Sequence, residues 1–401
     1  MGTEDINNIT GTPVTGKNFF GRVKEVREGW KLIEKGFSIK LDAPRRVGKS
    51  SFAYKMLEKA KEKNWNCVFC NLQGCKDEKH FYERFITALE KNSHYKDTGS
   101  KWRLEEVELS PQVLGNRLGA LKWKPQNKKE SQNNSNQNDS IYSNLEKILD
   151  HTKDTLIVVD ELIFYLDNLK GENNLNIKNA VLFLSWLNGQ RQEPNSKIRW
   201  ILCSSISIDN FIDEHHIDKV MKGLHSFSID ELNNEEATLL IEALAKSNGL
   251  TFSDEAKQCM LEKLGWNLPY YIQELFRAVN RLEQGDVTPE AIDKAYENLL
   301  NIAEKEEYFK TFIKDVKRYN DNKAAYSLLN EISKQRKGSS KNILKLLIVN
   351  KEKDEDRAIN ILNDLLKRLK NDGYIMFDEK GKRYLFRSPL LRDFWYNKFI
   401  K

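Results

Sequence analysis

The stretch LDAPRRVGKSSF, residues 41–52, contains the Gly-Lys-Ser tripeptide that closes a phosphate-binding loop. Such a loop normally opens with glycine, whereas this one opens with Ala43 and Pro44. The run before it, 37–43, is strand-like, and the residues after it place apolar side chains at helical spacing. A strand before the loop and a helix after it are the context that the motif needs. We therefore predict that this loop binds a nucleotide.

The chemistry of the loop assigns a role to its last residues. Backbone N–H groups and a helix N-terminus surround the phosphates, Lys49 reaches the terminal phosphates, and the Ser50 hydroxyl binds Mg²⁺. Gly48 allows close approach of the backbone, and Pro44 keeps the turn rigid. For Arg45 and Arg46 two interpretations remain open, which are contact with phosphate or a neighbouring subunit and a surface ion pair. The predicted nucleotide-binding residues of the loop are Ala43, Pro44, Arg45, Arg46, Val47, Gly48, Lys49, Ser50 and Ser51.

A second motif, TLIVVDE at 155–161, ends an apolar strand with two carboxylates. In the Walker B arrangement Asp160 binds the magnesium and Glu161 polarises the attacking water. An acidic pair at a strand end is by itself equally well explained by solvation. Together with Gly-Lys-Ser upstream, the pair favours ATP hydrolysis.

Strands alternate with helices over the first part of the chain, a pattern that predicts an α/β fold with a parallel sheet. The strand IRWILCSS, 198–205, ends in Ser204 and Ser205, and either serine is a candidate sensor of the γ-phosphate. If this strand inserts between the two motif strands and HSFSIDEL, 225–232, lies on the other side of the first, the strand order is 5-1-4-3-2.

The length of 401 residues allows two or three domains, and the order of the predicted elements favours three. They are a nucleotide-binding domain at 1–230, a helical lid at 231–310 and a basic domain at 311–401. An Asn-, Gln-, Ser- and Lys-rich stretch at 124–140 is expected to be a disordered insert. No run of 18 apolar residues and no signal peptide is present, so we expect a cytoplasmic protein that does not contact the membrane.

The C-terminal segment has the outline of a winged helix, with three predicted helices and a hairpin that turns at 379–381. Residues 310–401 carry 23 Lys and Arg against 12 Asp and Glu, a surplus of 11. The surplus favours DNA contact, through a recognition helix and wing that carry Lys367, Arg368, Lys370, Lys380, Lys382 and Arg383. The alternative is an internal brake that docks on the nucleotide domain through Phe394, Trp395 and Phe399.

Six motifs give the chain a resemblance to the archaeal-type ATPases of the STAND branch of AAA+ proteins and, more distantly, to origin-recognition-type ATPases. They are NFFGR at 18–22, APRRVGKSS at 43–51, LIVVDE at 156–161, ILCSSISI at 201–208, GWNLPYY at 265–271 and FRSPLLRDFWY at 386–396. The resemblance implies that Phe20, Gly21 and Arg22 lie near the adenine base and that Pro269 of the lid also meets the nucleotide. Arg191 is a candidate arginine finger, with a solvated loop arginine as the alternative.

These patterns together predict an ATP- and Mg²⁺-dependent ATPase switch that signals to a partner protein, to further copies of itself or to DNA. Two alternatives remain open. One is a DNA-bound helper in transposition, replication or phage defence, and the other is a nucleotide-dependent scaffold that does not hydrolyse ATP.

Overall fold

A computed structural model describes residues 5–43, 45–96, 141–171, 176–204, 207–283, 285–302, 307–319, 321–352 and 354–401. The predicted insert and two predicted site residues, Pro44 and Ser205, lie outside this set. The chain divides into two compact units. The sheet unit comprises residues 24–42 and 52–228, and the loop unit comprises residues 1–23, 43–51 and 229–401.

The sheet unit is built on five parallel strands in the order β2-β3-β4-β1-β5. This is the predicted order read from the other edge, so the predicted α/β fold is confirmed. All six residues of β3 are buried, as expected for a central strand covered on both faces. The strands are β1 (Ile39–Asp42), β2 (Asn66–Asn71), β3 (Thr155–Asp160), β4 (Ile198–Leu202) and β5 (His225–Ser228).

Aromatic side chains fill one side of this unit. Phe81, Phe85 and Trp200 are buried, and the Phe85 ring stacks on Trp200 with 6.2 Å between centroids. Burial of such large rings is the main stabilising term for a core of this kind. The helices are α1 (Val23–Glu34), α2 (Lys49–Glu62), α3 (Glu78–Glu90), α4 (Ile141–Ile148), α5 (Leu162–Lys170), α6 (Ile177–Gln192) and α7 (Ile208–His215), of which α1 and α2 begin at residues of the loop unit.

In the loop unit, residues 229–302 are mainly helical. Asn233 and Glu236 form a capping box that starts the first helix, and Gly249 ends it in a left-handed conformation. Pro269 occupies the first turn of the third helix, where its missing N–H costs nothing. The elements are α8 (Asn234–Asn248), β6 (Thr251–Phe252), α9 (Asp254–Leu264), α10 (Pro269–Asn280), β7 (Asp286–Val287) and α11 (Pro289–Ile302).

The same unit continues through residues 307–401, where the three predicted helices and the hairpin are present. The Asp378 carboxylate accepts from the N–H groups of Lys380 and Gly381, which closes the turn at the predicted place. The elements are α12 (Glu307–Lys317), α13 (Asn322–Ser333), β8 (Ser339–Ser340), α14 (Lys341–Val349), α15 (Glu355–Asn371), β9 (Ile375–Asp378), β10 (Arg383–Phe386) and α16 (Pro389–Phe399). The naming of this segment as a winged helix, and the domain bounds, stay predictions.

The aromatic side chains of α16 correct one prediction. Trp395 is fully buried and lies 5.1 Å from both Phe312 and Tyr326, measured between ring centroids. Phe394 is also buried and packs on Phe309. These two rings therefore form the core of residues 307–401 instead of an exposed docking face. The prediction was wrong because an aromatic pattern on a helix does not say which partner buries it.

Residues 229–302 are also joined to residues 307–401 by polar contacts within the loop unit. The Arg387 guanidinium lies 3.1 Å from the Glu231 carboxylate and 4.8 Å from the centroid of Trp266. The Tyr296 hydroxyl donates to Asp393 over 2.9 Å. Among the described residues no helix is long and apolar enough to cross a membrane.

Candidate nucleotide-binding site

The phosphate-binding loop has an unusual backbone at two positions. Gly48 has a φ of +101°, and a Cβ placed there meets no atom within 4 Å, so open space faces the glycine. Arg46 has a φ of 65°, in the left-handed region that residues other than glycine rarely adopt. Left-handed residues next to right-handed ones turn successive N–H groups toward one concave side, a geometry that binds anions.

The side chain of Lys49 lies at the end of this loop, on the first residue of α2. It is 7% exposed, and its Nζ donates to the carbonyl oxygen of Ala43 over 2.7 Å. An ammonium has three donors, so this bond is compatible with a phosphate contact. Ser50 follows it, and the Ser51 hydroxyl accepts from the N–H of Val14 over 3.0 Å. The first turn of α2 therefore also fixes the N-terminal segment.

Arg22 supports the loop through a hydrogen bond from its side chain. Its side chain is 2% exposed, and its guanidinium donates to the carbonyl oxygen of Val47 over 2.9 Å. Its own N–H donates to the Glu236 carboxylate over 3.3 Å, and it has a φ of 59°. Gly21 before it also has a positive φ, which allows the sharp turn into α1. Arg22 therefore supports the loop, and its predicted place near the base stays a prediction.

A pocket in the loop unit brings the predicted residues Phe20, Arg22 and Pro269 together with the loop. One part of its wall is apolar and another carries side-chain amides. The lining residues are Ile6, Asn7, Val14, Asn18, Phe19, Phe20, Arg22, Val47, Gly48, Ser51, Leu240, Pro269 and Gln273.

The N-terminal contribution to this pocket was missed from the sequence. The N–H of Ile9 donates to the Gln273 side chain over 2.7 Å, and the Asn8 side chain donates to the Gln273 carbonyl oxygen over 3.0 Å. These bonds attach residues 8 and 9 to α10, a helix of the predicted lid (residues 231–310, called the lid segment below). The stretch DINNIT has no periodicity or motif that announces this contact.

Both loop arginines have partners in the loop unit. The Arg45 guanidinium pairs with the Asp315 carboxylate of α12 at 2.7 Å and 3.2 Å, and both side chains are largely buried. Burial raises the pKa of Asp315, while the Arg45 charge and a hydrogen bond from Tyr374 act in the opposite direction. The Arg46 guanidinium lies over the ring of Tyr270, 4.5 Å from its centroid. The ion-pair interpretation of Arg45 is therefore observed, but the pair is buried.

In the sheet unit, Asp160 ends β3 and is 4% exposed, and its carboxylate accepts from the N–H of Glu161 over 2.9 Å. Glu161 has a φ of 58°, and α5 begins directly after it. The hydroxyl of Ser204 accepts from the N–H of Ile163 over 3.3 Å. The candidate sensor at the end of β4 thus caps the helix that follows the Walker B carboxylates.

Tyr54 on α2 is a further residue near Asp160 that sequence reasoning missed. Burial and the Asp160 carboxylate raise the pKa of Tyr54, whose ring stacks on Phe69 with 4.4 Å between centroids. Tyr54 and Asp160 both belong to the sheet unit. No sequence signal distinguishes Tyr54 from an ordinary helix residue.

Arg191 lies in the last turn of α6, not in a loop as predicted. Its guanidinium donates to the Asn188 side chain over 2.7 Å and to the Lys222 carbonyl oxygen over 2.9 Å. Burial lowers the pKa of Arg191 to about 10. The side chain therefore joins two segments of its own unit, and a role as arginine finger stays a prediction.

Two solved structures resemble the whole chain. A Walker-type ATPase of Pyrococcus abyssi matches with a TM-score of 0.66 at 14% identity, over 97% of this chain and 99% of that one. The ORC2 protein of Aeropyrum pernix, in ADPNP–ADP complexes, matches with a TM-score of 0.55 at 10% identity, over 95% and 96%. No protein-family model and no curated protein matches the sequence. The chain therefore has the fold of archaeal Walker-type and ORC ATPases, as its motifs predicted, whereas its placement in the STAND branch remains a prediction.

Proposed function

We propose that the protein binds and hydrolyses ATP and couples its nucleotide state to the position of the lid and of the C-terminal segment. The observation that carries this proposal is the pocket, where Gly48 of the phosphate-binding loop lines the same cavity as Phe20 and Pro269, beside apolar side chains. We call the loop backbone around Gly48 the phosphate cradle. Three segments far apart in the sequence supply a place for phosphate and a place for a base. The ORC2 protein of the same fold was solved with ADPNP and ADP, which supports a nucleotide as the ligand.

The residues of the loop fit the phosphates of ATP. Backbone N–H groups of residues 45–48 and the start of α2 supply donors, and the Lys49 ammonium supplies the charge that a polyphosphate needs. The apolar side chains of Ile6, Val14 and Leu240 are suited to contact the base. Arg22 holds the Val47 carbonyl oxygen and thereby the shape of the cradle.

The oxygens of Ser50 and Asp160 fit Mg²⁺, which prefers one or two protein oxygens together with substrate phosphates. When bound, the ion neutralises the charge on the transferred phosphoryl group. The β1 and β3 strands are parallel members of one sheet, so their carboxyl ends lie at one edge of it, which supports this assignment. We assign Glu161 to orient and deprotonate the attacking water, and Ser204 to donate a hydrogen bond to the γ-phosphate.

The coupling is proposed to run through the loop unit. The lid segment lines the pocket through Leu240, Pro269 and Gln273, and it is joined to residues 307–401 by the Arg387–Glu231 pair. A change at the pocket would therefore reach the C-terminal segment. The output is a partner protein, a further copy of the chain or DNA, for which the positive charge of residues 310–401 is the supporting feature.

The first test is ATP binding by a Lys49→Ala variant, measured by titration calorimetry with MgATP. Loss of the ammonium leaves the polyphosphate without its main counter-charge, so we expect binding to be lost. A matched control is Lys55→Ala, which removes a lysine on the same helix that pairs with Glu58 on the surface. Wild-type affinity in the Lys49 variant would reject this site. A phosphate-release assay on the wild type separates the hydrolase from a scaffold that does not hydrolyse ATP.

A further inference from the structure

The strained residue of the phosphate-binding loop is Arg46. Its φ of 65° places a side chain where glycine is the ordinary choice, because the left-handed region brings Cβ close to the following carbonyl oxygen. A strained residue keeps such a backbone only when its surroundings hold it there. The groups around Arg46 therefore hold this part of the loop.

Tyr270 supplies such a contact. Its ring lies 4.5 Å from the Arg46 guanidinium, a distance at which the ring quadrupole attracts the cation. Tyr270 is the second residue of α10, directly after the pocket residue Pro269. The helix itself is fixed by the buried side chains of Tyr271, Ile272 and Leu275. The ring is thus held by a well-packed helix, next to the part of the pocket that we propose to bind the base.

The neighbouring Arg45 is held as firmly. Its guanidinium makes a two-point contact with Asp315, which also accepts a hydrogen bond from Tyr374 over 2.8 Å. Two successive loop side chains are therefore bound to fixed groups of the same unit. The backbone between them and Gly48 is the part that must turn its N–H groups toward the phosphates.

We propose that Tyr270 is a positioning residue for nucleotide binding, which holds Arg46 in the left-handed conformation that the phosphate cradle requires. The inference rests on the proposed function, since it concerns the affinity of the same pocket. It adds that the lid controls the shape of the phosphate loop through one aromatic side chain. Tyr270 itself touches no reacting atom in this proposal.

The test compares four variants by their dissociation constants for MgATP, with circular dichroism as a check that each is folded. Tyr270→Leu removes the ring and should weaken binding about threefold to tenfold, the range of a partly exposed cation–π contact. Tyr270→Phe keeps the ring and should retain wild-type affinity. Arg46→Gly removes the side chain that the ring holds, and its own affinity is the reference for the double variant. Arg46→Gly combined with Tyr270→Leu should match Arg46→Gly, because glycine no longer needs the ring.

The comparison in the glycine background distinguishes positioning from a general structural role. If Tyr270→Leu weakens binding as much in the Arg46→Gly background as it does alone, the proposal is wrong. It is also wrong if Tyr270→Leu by itself binds like wild type.

Amide hydrogen exchange without nucleotide separates this proposal from the proposed function. Exchange at residues 46–48 should be faster in Tyr270→Leu than in wild type and unchanged in Tyr270→Phe. This result is independent of ATP binding, so a protein that binds no ATP would reject the function while leaving the loop contact testable. Equal exchange in Tyr270→Leu and wild type would reject the positioning role.

Discussion

At the scale of single residues, the left-handed backbone of Glu161 determines the surroundings of the two carboxylates at the end of β3. Its φ of 58° ends β3 abruptly and starts α5 at the next residue. The Asp160 carboxylate is held by the Glu161 N–H, so the two carboxylates of the motif have different surroundings and different proposed roles. Asp160 is buried and suited to hold a cation, and Glu161 is more exposed and suited to reach water.

We predict that Glu161→Gln keeps ATP binding and slows hydrolysis by about two or more orders of magnitude, the usual contribution of a positioned base. Calorimetry with MgATP and steady-state phosphate release measure the two quantities. Glu146→Gln, at an exposed position of α4, is the matched control and should leave both unchanged. Unaltered turnover in the Glu161 variant would remove this residue from the role of base.

Ser204 is a second residue whose proposed role depends on its backbone surroundings. Its hydroxyl accepts from the N–H of Ile163, so the end of β4 and the start of α5 are tied together beside the Walker B residues. A hydroxyl also donates one hydrogen bond, which is what a sensor of the γ-phosphate needs. Of the two serines predicted as sensors, Ser205 lies outside the described residues, and Ser204 has the geometry described.

At the scale of elements, α12 is fastened to the phosphate-binding loop by the pair Arg45–Asp315. The side chains are 13% and 7% exposed, so both charges are removed from most of their water. In such a site the loss of one partner costs far more than the loss of both, because the remaining charge is buried without compensation.

We predict that Asp315→Ala lowers the free energy of unfolding by about 3–5 kcal/mol. Arg45→Met combined with Asp315→Leu should lower it by about 1–3 kcal/mol, because no charge is left unpaired and only the Tyr374 hydroxyl loses its acceptor. Urea unfolding followed by circular dichroism measures both. The matched control is Glu331→Ala, which breaks the more exposed pair with Lys334 and should cost about 0–1 kcal/mol. A double variant as unstable as Asp315→Ala would show that shape, and not charge, holds this contact.

At the scale of the whole molecule, the charge of the C-terminal segment bears on two proposals, DNA contact and an internal brake. Four of the lysines singled out in the sequence are exposed on α15 and the hairpin turn, namely Lys367, Lys370, Lys380 and Lys382. Arg368 instead pairs with Asp364 at 2.7 Å and is mostly buried, so it contributes less to the basic surface.

We predict that replacing these four lysines with glutamate abolishes DNA binding and leaves ATP affinity unchanged, if the segment contacts DNA. The affinity of the wild type should then fall with salt with a slope of about 0.9 per phosphate contacted. If the segment is a brake, no DNA binding is seen from the start and basal phosphate release rises in the variant. Filter binding at several salt concentrations and phosphate release measure the two outcomes.

A charge-matched control keeps this comparison specific. Lys24, Lys31, Lys35 and Lys63 are exposed in the sheet unit, and their replacement with glutamate changes the net charge by the same amount. This control should alter neither quantity. If the C-terminal variant also alters neither, the basic surplus is only a solvated face.

The sequence by itself determined the five parallel strands, the two motifs at their ends and the helices and hairpin of the C-terminal segment. These follow from local features, such as the four consecutive apolar residues of β3, the turn at Asp378 and the cap at Asn233, which act over a few residues. Only the tertiary structure decided which side chains meet. Arg45 and Asp315 form an ion pair although they are 270 residues apart in the sequence, and Ile9 bonds Gln273 across 264 residues. Trp395 is buried in the core of residues 307–401. No periodicity or spacing encodes such contacts, because an ion pair, a pocket wall or a buried ring depends on elements that packing brings together from distant parts of the chain.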